Sequence, residues 1–223
     1  MVDEVRVAVI GASGYTGGEL LRILATHPKV EVAYATSRPH AGKKVWEVQP
    51  HLRGLLDVVL EDVDVEKIAE RAECAFLATP HTVSMTIAPD LIERGLRVVD
   101  LSADFRLKSV EVYERYYKVK HACPSLLEEA VYGLPELHRR EIAGARLVAN
   151  PGCYPTGAIL AIAPLLYYGL IEPNAIYVDA KSGTSGAGAT PTSFTHHPEC
   201  GSNVRPYNVF VHRHVPEMEQ ELS

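Results

Sequence analysis

The residues that most restrict the fold are Gly11-Ala12-Ser13-Gly14-Tyr15-Thr16-Gly17. They follow directly on a β-branched run, Val5 to Ile10. They lead into a stretch of helical spacing, Gly14 to Ala25, with Leu20, Leu21 and Leu24 on one side. A strand that turns on glycines into a helix lets the backbone approach a pyrophosphate. The helix start adds free N–H groups and a partial positive charge. Gly11, Ser13, Gly14, Tyr15, Thr16 and Gly17 are therefore the expected contacts of a dinucleotide, with a purely structural turn as the competing reading.

The alternation continues. Val30 to Ala35 is strand-like, Asp64 to Ala72 helical, Cys74 to Ala78 strand-like, Thr82 to Arg94 helical up to Gly95, and Arg97 to Leu101 strand-like. Strands separated by helices imply right-handed crossovers and a parallel sheet. The expected fold is α/β: a Rossmann-type dinucleotide-binding domain over 1–150, then an α+β catalytic and dimerisation domain over 151–223. In that second part Leu147 to Ala149 is a short strand, and a helix is expected from about Pro155 to Tyr168, stopping at Gly169. Ala175 to Lys181 and Tyr207 to His214 read as strands. Pro216 opens a last helix that Ser223 cuts short, so the second domain reads as truncated.

Where the second strand ends, a carboxylate would bind a ribose 2′-hydroxyl and repel a 2′-phosphate. The sequence has Thr36-Ser37-Arg38 instead. Ser37 and Arg38 suit the phosphate, which favours NADP over NAD. A solvated surface arginine is the alternative.

Twenty-two Lys and Arg against 28 Asp and Glu, with no basic tract, argue against nucleic acid. Cys74, Cys123, Cys153 and Cys200 form no CxxC pair, and no signal peptide is read ahead of the first apolar run. Reduced thiols in a cytoplasm are expected. Leu147 to Ile171 is uncharged and, at about 25 residues, long enough to span a bilayer. Its prolines and glycines instead fit a turn and a buried helix, so no membrane partner is expected. His196, His197 and Cys200 are too cramped for zinc without a second ligand pair, and no metal is expected.

Cys153 sits in Asn150-Pro151-Gly152-Cys153-Tyr154-Pro155-Thr156, just ahead of a helix whose N-terminus favours thiolate over thiol. On composition alone a buried structural cysteine would stay the better reading. His212 and His214 are two apart, and in a strand they would share a face. Glu217 follows closely. Solvent-facing histidines are the alternative.

Several ordered motifs change this balance. Leu147 to Gly157, Asp100 to Leu107, Tyr132 to Glu136, Ala180 to Gly188 and His212 to Gln220, together with the glycine turn, resemble N-acetyl-gamma-glutamyl-phosphate reductases over essentially the whole chain. The resemblance implies NADPH-dependent reduction of a small-molecule acyl phosphate in arginine biosynthesis. It implies Cys153 as nucleophile, His212 as acid–base with Glu217 orienting it, and His214 as second choice for that role. Ser182 and Gly183 would line the cofactor, and Arg106, Lys181 and His214 the substrate. Arg106 and Lys181 read equally well as surface ion pairs. It also implies a homo-oligomer. Two other readings stand beside it. One is the related reductase of aminoadipyl or glutamyl phosphate on a carrier protein, toward which His196-His197-Pro198-Glu199 leans. The other is an inactive NADP-binding module, since the family continues well past Ser223.

Overall fold

The computed structural model describes residues 4–223. Seven strands form one sheet: β1 (Val5–Ile10), β2 (Val30–Thr36), β3 (Leu60–Glu61), β4 (Cys74–Leu77), β5 (Arg97–Asp100), β6 (Val131–Tyr132) and β7 (Leu147–Ala149). Their order is β3-β2-β1-β4-β5-β7-β6, and every pair is parallel. Parallel strands need covered faces. In β1, Ala8 and Ile10 enter one apolar core with Leu77, Leu91 and Phe105, while Val7 and Val9 enter the other with Leu21 and Leu60. This double burial explains why β1 is apolar without a break from Val7 to Ile10, with the exposed Arg6 ahead of it.

The connections are helical. The longer ones are α1 (Tyr15–Leu24), α3 (Val65–Arg71), α4 (Ser84–Glu93), α5 (Val110–Tyr117) and α7 (Pro135–Gly144), with single turns α2 (Val45–Val48) and α6 (Leu126–Glu129) between them. Asp64 caps α3 by accepting the Lys67 N–H at 3.2 Å. Gly95, at φ +87°, closes α4.

Beyond Ala149 lie α8 (Cys153–Tyr167), the single turn α9 (His197–Cys200) and α10 (Val215–Leu222). Ile159 of α8, flanked by Leu160 and Ala163, meets Met218 and Leu222 of α10 in a small core with Tyr132 and Leu134. The expected helix at Pro155 thus begins two residues earlier, at Cys153, and Gly169 follows its end at φ +63°.

Two sequence expectations are corrected here. Ala175 to Lys181 and Tyr207 to His214 are not strands. They have β-branched and aromatic residues but no partner strand among the described residues, and a lone strand leaves its backbone groups unpaired. Their side chains are largely exposed, among them Tyr177 and Phe210. No helix among the described residues is long and apolar enough to cross a membrane.

Candidate active site

Because all strands are parallel, the turns leaving β1, β2, β4, β5 and β7 gather at one edge of the sheet. The strand order reverses between β1 and β4, which opens a crevice there. The glycine turn lies at that point. Gly11 has φ +94°, and a Cβ on it would lie 2.4 Å from the Ala78 carbonyl oxygen. A Cβ on Gly17 would lie 2.3 Å from the Gly11 oxygen. Neither position has room for a side chain. The turn is tied to β2: Gly11 N–H donates to Thr36 Oγ1 at 3.2 Å, Ala12 N–H to the Thr36 oxygen at 2.8 Å, and Ser37 Oγ to Ser13 Oγ at 2.8 Å.

Gln49, which sequence reasoning missed, donates from Nε2 to the carbonyls of Ala12 and Gly14 at 3.3 and 3.2 Å. Only the close packing of its amide on Gly18 marks it, and no sequence motif does. The first turn of α1 has no acidic residue and no side-chain cap, so its N–H groups meet no competing carboxylate. Tyr15, Thr16 and Arg38 are exposed. Arg38 makes no hydrogen bond or ion pair among the described residues. A cradle without side chains, uncapped donors and an uncommitted cation fit a phosphorylated dinucleotide.

The second cluster surrounds the turn after β7. Gly152 is the buried N-cap of α8, and Cys153 is its first residue and exposed. The Gly152 oxygen accepts from the N–H and Oγ1 of Thr156 at 3.0 and 2.9 Å. Behind the turn stands Glu217 of α10, whose Oε1 accepts the Gly152 N–H and the Tyr132 hydroxyl, both at 2.7 Å. Its Oε2 lies 3.5 Å from Arg106 Nη1. Arg106 is 5% exposed, which rules out the surface ion pair. It donates from Nε to the Asn150 oxygen at 2.7 Å and from Nη2 to the Leu101 oxygen at 3.0 Å.

His212 and His214 converge although no strand carries them. Their ring centroids are 4.7 Å apart, and both meet the Tyr154 ring edge-on. His212 Nδ1 accepts the backbone N–H of His214 at 3.1 Å. That leaves the proton of the neutral ring on Nε2. His214 stands at the head of α10, and a Cβ on Gly152 would fall 2.6 Å from its Nε2. Its Nδ1 is buried and unpartnered. Burial, then the neighbouring His212 and Arg106, push His214 down to about 3. Burial and Arg213 lower His212 as well. Glu217 bonds neither imidazole.

The turns after β4 and β5 supply groups the sequence did not single out. Buried Asp104 accepts the N–H groups of Thr82 and Met85 and the Tyr113 hydroxyl. Thr82 sits at φ +75°. His81 Nδ1 accepts the Ala103 N–H, and burial takes this ring down to about 4.

Ser182, Gly183 and Lys181 lie apart from both clusters. The hydrogen bonds of residues 182–188 are local, and Lys181 pairs at 2.5 Å with Asp179 in an exposed stretch. Among the described residues no three His, Cys, Asp or Glu side chains are placed to hold a metal.

Comparison with known proteins now adds to this geometry. Residues 6–145 match the model for the semialdehyde dehydrogenase NAD-binding domain, and residues 153–223 match the dimerisation domain of the same enzymes. The chain belongs to the semialdehyde dehydrogenase family. It is 58% identical over 219 residues to the N-acetyl-gamma-glutamyl-phosphate reductase of Methanopyrus kandleri, covering 97% of this chain and 63% of that protein. It is 52% identical over 223 residues to the [LysW]-L-2-aminoadipate/[LysW]-L-glutamate phosphate reductase of Saccharolobus solfataricus, covering 100% of this chain and 63% of that protein. The chain thus spans a little under two thirds of these relatives. In fold it resembles the aspartate semialdehyde dehydrogenase of Candida albicans with NADP, at TM-score 0.58 and 18% identity over 74% of this chain and 48% of that one.

Proposed function

We propose that this chain carries the nucleotide-binding and nucleophile parts of an NADPH-dependent reductase of N-acetyl-gamma-glutamyl phosphate in arginine biosynthesis. The observation that carries this reading is the exposed thiol of Cys153 on the first residue of α8, on a turn held from behind by Glu217. A thiolate is the reacting form. Its sulfur attacks the acyl carbon, a C–S bond forms, and the C–O bond to phosphate breaks with the electron pair leaving on phosphate. When bound, the nicotinamide supplies a hydride to the thioester carbonyl. His212 keeps a proton on Nε2 and is assigned the acid–base role; His214, with its Nε2 against Gly152, is the second candidate. The glycine turn with Ser37 and Arg38 is assigned the dinucleotide, and buried Arg106 the electrostatics beneath the substrate. Ser182, Gly183 and Lys181 reach the site only if residues 181–188 are arranged differently with ligand bound.

A second reading, a carrier-linked aminoadipyl or glutamyl phosphate, is supported by the similarity of all 223 residues to part of the Saccharolobus solfataricus protein. A third reading is a nucleotide-binding module without turnover, for which the glycine turn and the exposed Arg38 suffice. The exposed Tyr167, Tyr168, Leu170 and Phe210, within the dimerisation-domain match, are assigned to contact with a second copy.

Incubating the chain with each semialdehyde, phosphate and NADP separates the readings. Turnover with the acetylated compound supports the first, turnover with the carrier-linked compound the second, and NADPH binding without turnover the third. In an active background Cys153→Ser is expected to lower turnover by about a hundredfold or more with NADPH affinity unchanged, since a hydroxyl is a weak nucleophile at neutral pH. Near-normal turnover in that variant would sink the covalent route.

A further inference from the structure

Tyr132 ends β6 at the sheet edge, and its ring is buried with Leu134 and Ile159 in the core that joins α8 and α10 to the sheet. Packing explains the ring but not the hydroxyl. The hydroxyl donates to Glu217 Oε1 at 2.7 Å, the same oxygen that takes the Gly152 N–H at 2.7 Å. The other carboxylate oxygen faces Arg106, which is fastened to the carbonyls of Asn150 and Leu101. Glu217 is 1% exposed and Tyr132 4%. A buried carboxylate that is neither free nor joined to an imidazole, with its polar contacts ending at the cysteine turn or the sheet edge, has a holding function. Burial and the Glu217 charge raise the Tyr132 hydroxyl far above the ordinary phenol range, so it remains a donor.

We propose that Tyr132 is a positioning residue for Cys153, acting through Glu217. The Tyr132 hydroxyl and Arg106 fix the carboxylate, the carboxylate fixes the Gly152 peptide, and that peptide sets the thiol at the head of α8. This rests on Cys153 being the nucleophile. It also gives Glu217 a task other than orienting His212. With the Gly152 N–H taken by Glu217, the unengaged donors beside the thiol are the N–H groups of Cys153 and Tyr154, because Pro155 has none.

Amide exchange in the unmodified chain, followed by NMR, is the first test. Exchange at Gly152 is expected to be about tenfold or more slower than at Cys153 and Tyr154, as a bond to a buried carboxylate requires. Equal rates at the three amides would overturn the proposal without any variant. The second test is the rate at which iodoacetamide labels Cys153, read by peptide mass spectrometry with Cys123 and Cys200 as internal references. Tyr132→Phe is expected to slow Cys153 labelling about threefold or more, to speed Gly152 exchange about tenfold, and to leave the reference thiols alone. Glu217→Ala should do the same, and Glu217→Gln, which keeps an accepting oxygen, should recover most of the rate. A folded Tyr132→Phe with unchanged exchange and labelling overturns the proposal. A failure of the nucleophile reading looks different: Cys153→Ser keeps its turnover while Gly152 stays protected.

Discussion

Under the proposed function, Arg38 is the side chain that chooses the cofactor. It stands just past the end of β2, exposed and unpaired among the described residues, two positions after Thr36, which holds the glycine turn. An uncommitted guanidinium there can pair with a 2′-phosphate, while a carboxylate would repel it. Arg38→Asp is therefore expected to weaken NADPH by about a hundredfold, a charge-assisted bond lost and a repulsion gained, and NADH by threefold or less. Fluorescence titration with both nucleotides measures this, and equal losses would mean that Arg38 does not read the phosphate. The residues of this half of the site are legible in the sequence because a strand, a glycine turn and a helix are contiguous. The other half is not. Tyr132, Arg106 and Glu217 come from three distant segments, and only the folded chain shows that they meet at Gly152. Glu217 was singled out for an imidazole it does not bond. Gln49 leaves no sequence signal at all, since an amide on two carbonyls has no spacing rule.

At the level of elements, the strands that could be read were those buried on both faces, such as β1 and β4. The two-residue β3 and β6 are too short to leave a pattern. Ala175 to Lys181 and Tyr207 to His214 have strand composition but no partner, and pairing is what makes a strand. Helix starts were legible where a cap sits next to the helix, as Asp64 does for α3. The start of α4 was less so, because its cap is remote. Asp104, twenty residues on, accepts from Thr82 and Met85 and from the Tyr113 hydroxyl, and so binds the β4 turn, α4 and α5 together. Asp104→Asn turns an acceptor into a donor facing donors. It is expected to cost about 2–3 kcal/mol in urea unfolding, the penalty for buried unsatisfied groups. Asp90→Asn on the exposed side of α4 should stay within about 0.5 kcal/mol. A neutral Asp104→Asn would mean that the turn holds without the carboxylate.

For the molecule as a whole, buried titratable groups set how it responds to acid. His81 and His214 are held neutral by burial, at about 4 and about 3 against 6.5 for a free imidazole. As pH falls below 6.5 the unfolded chain takes up these protons before the folded one does. The stability these rings contribute is full above 6.5 and drains away down to about 4 and about 3. Asp100 works the other way. Burial raises it to about 6 from 3.8, so the folded chain binds this proton first, and its contribution is full below 3.8 and lost as pH rises through 6. Two histidines against one aspartate leave a net loss of stability between pH 6.5 and 4. His214 faces His212, Arg106, Arg213 and His81, and the positive charge of the arginines, and of either ring once protonated, deepens its depression. Urea midpoints at steps from pH 7 to 4.5 test this. The midpoint of the unmodified chain is expected to fall with pH, His214→Asn should remove most of the slope, and the double variant with His81→Asn should reverse it, with Asp100 then dominating. A slope unchanged in the double variant would place the acid sensitivity in carboxylates elsewhere and remove the two buried imidazoles as its cause.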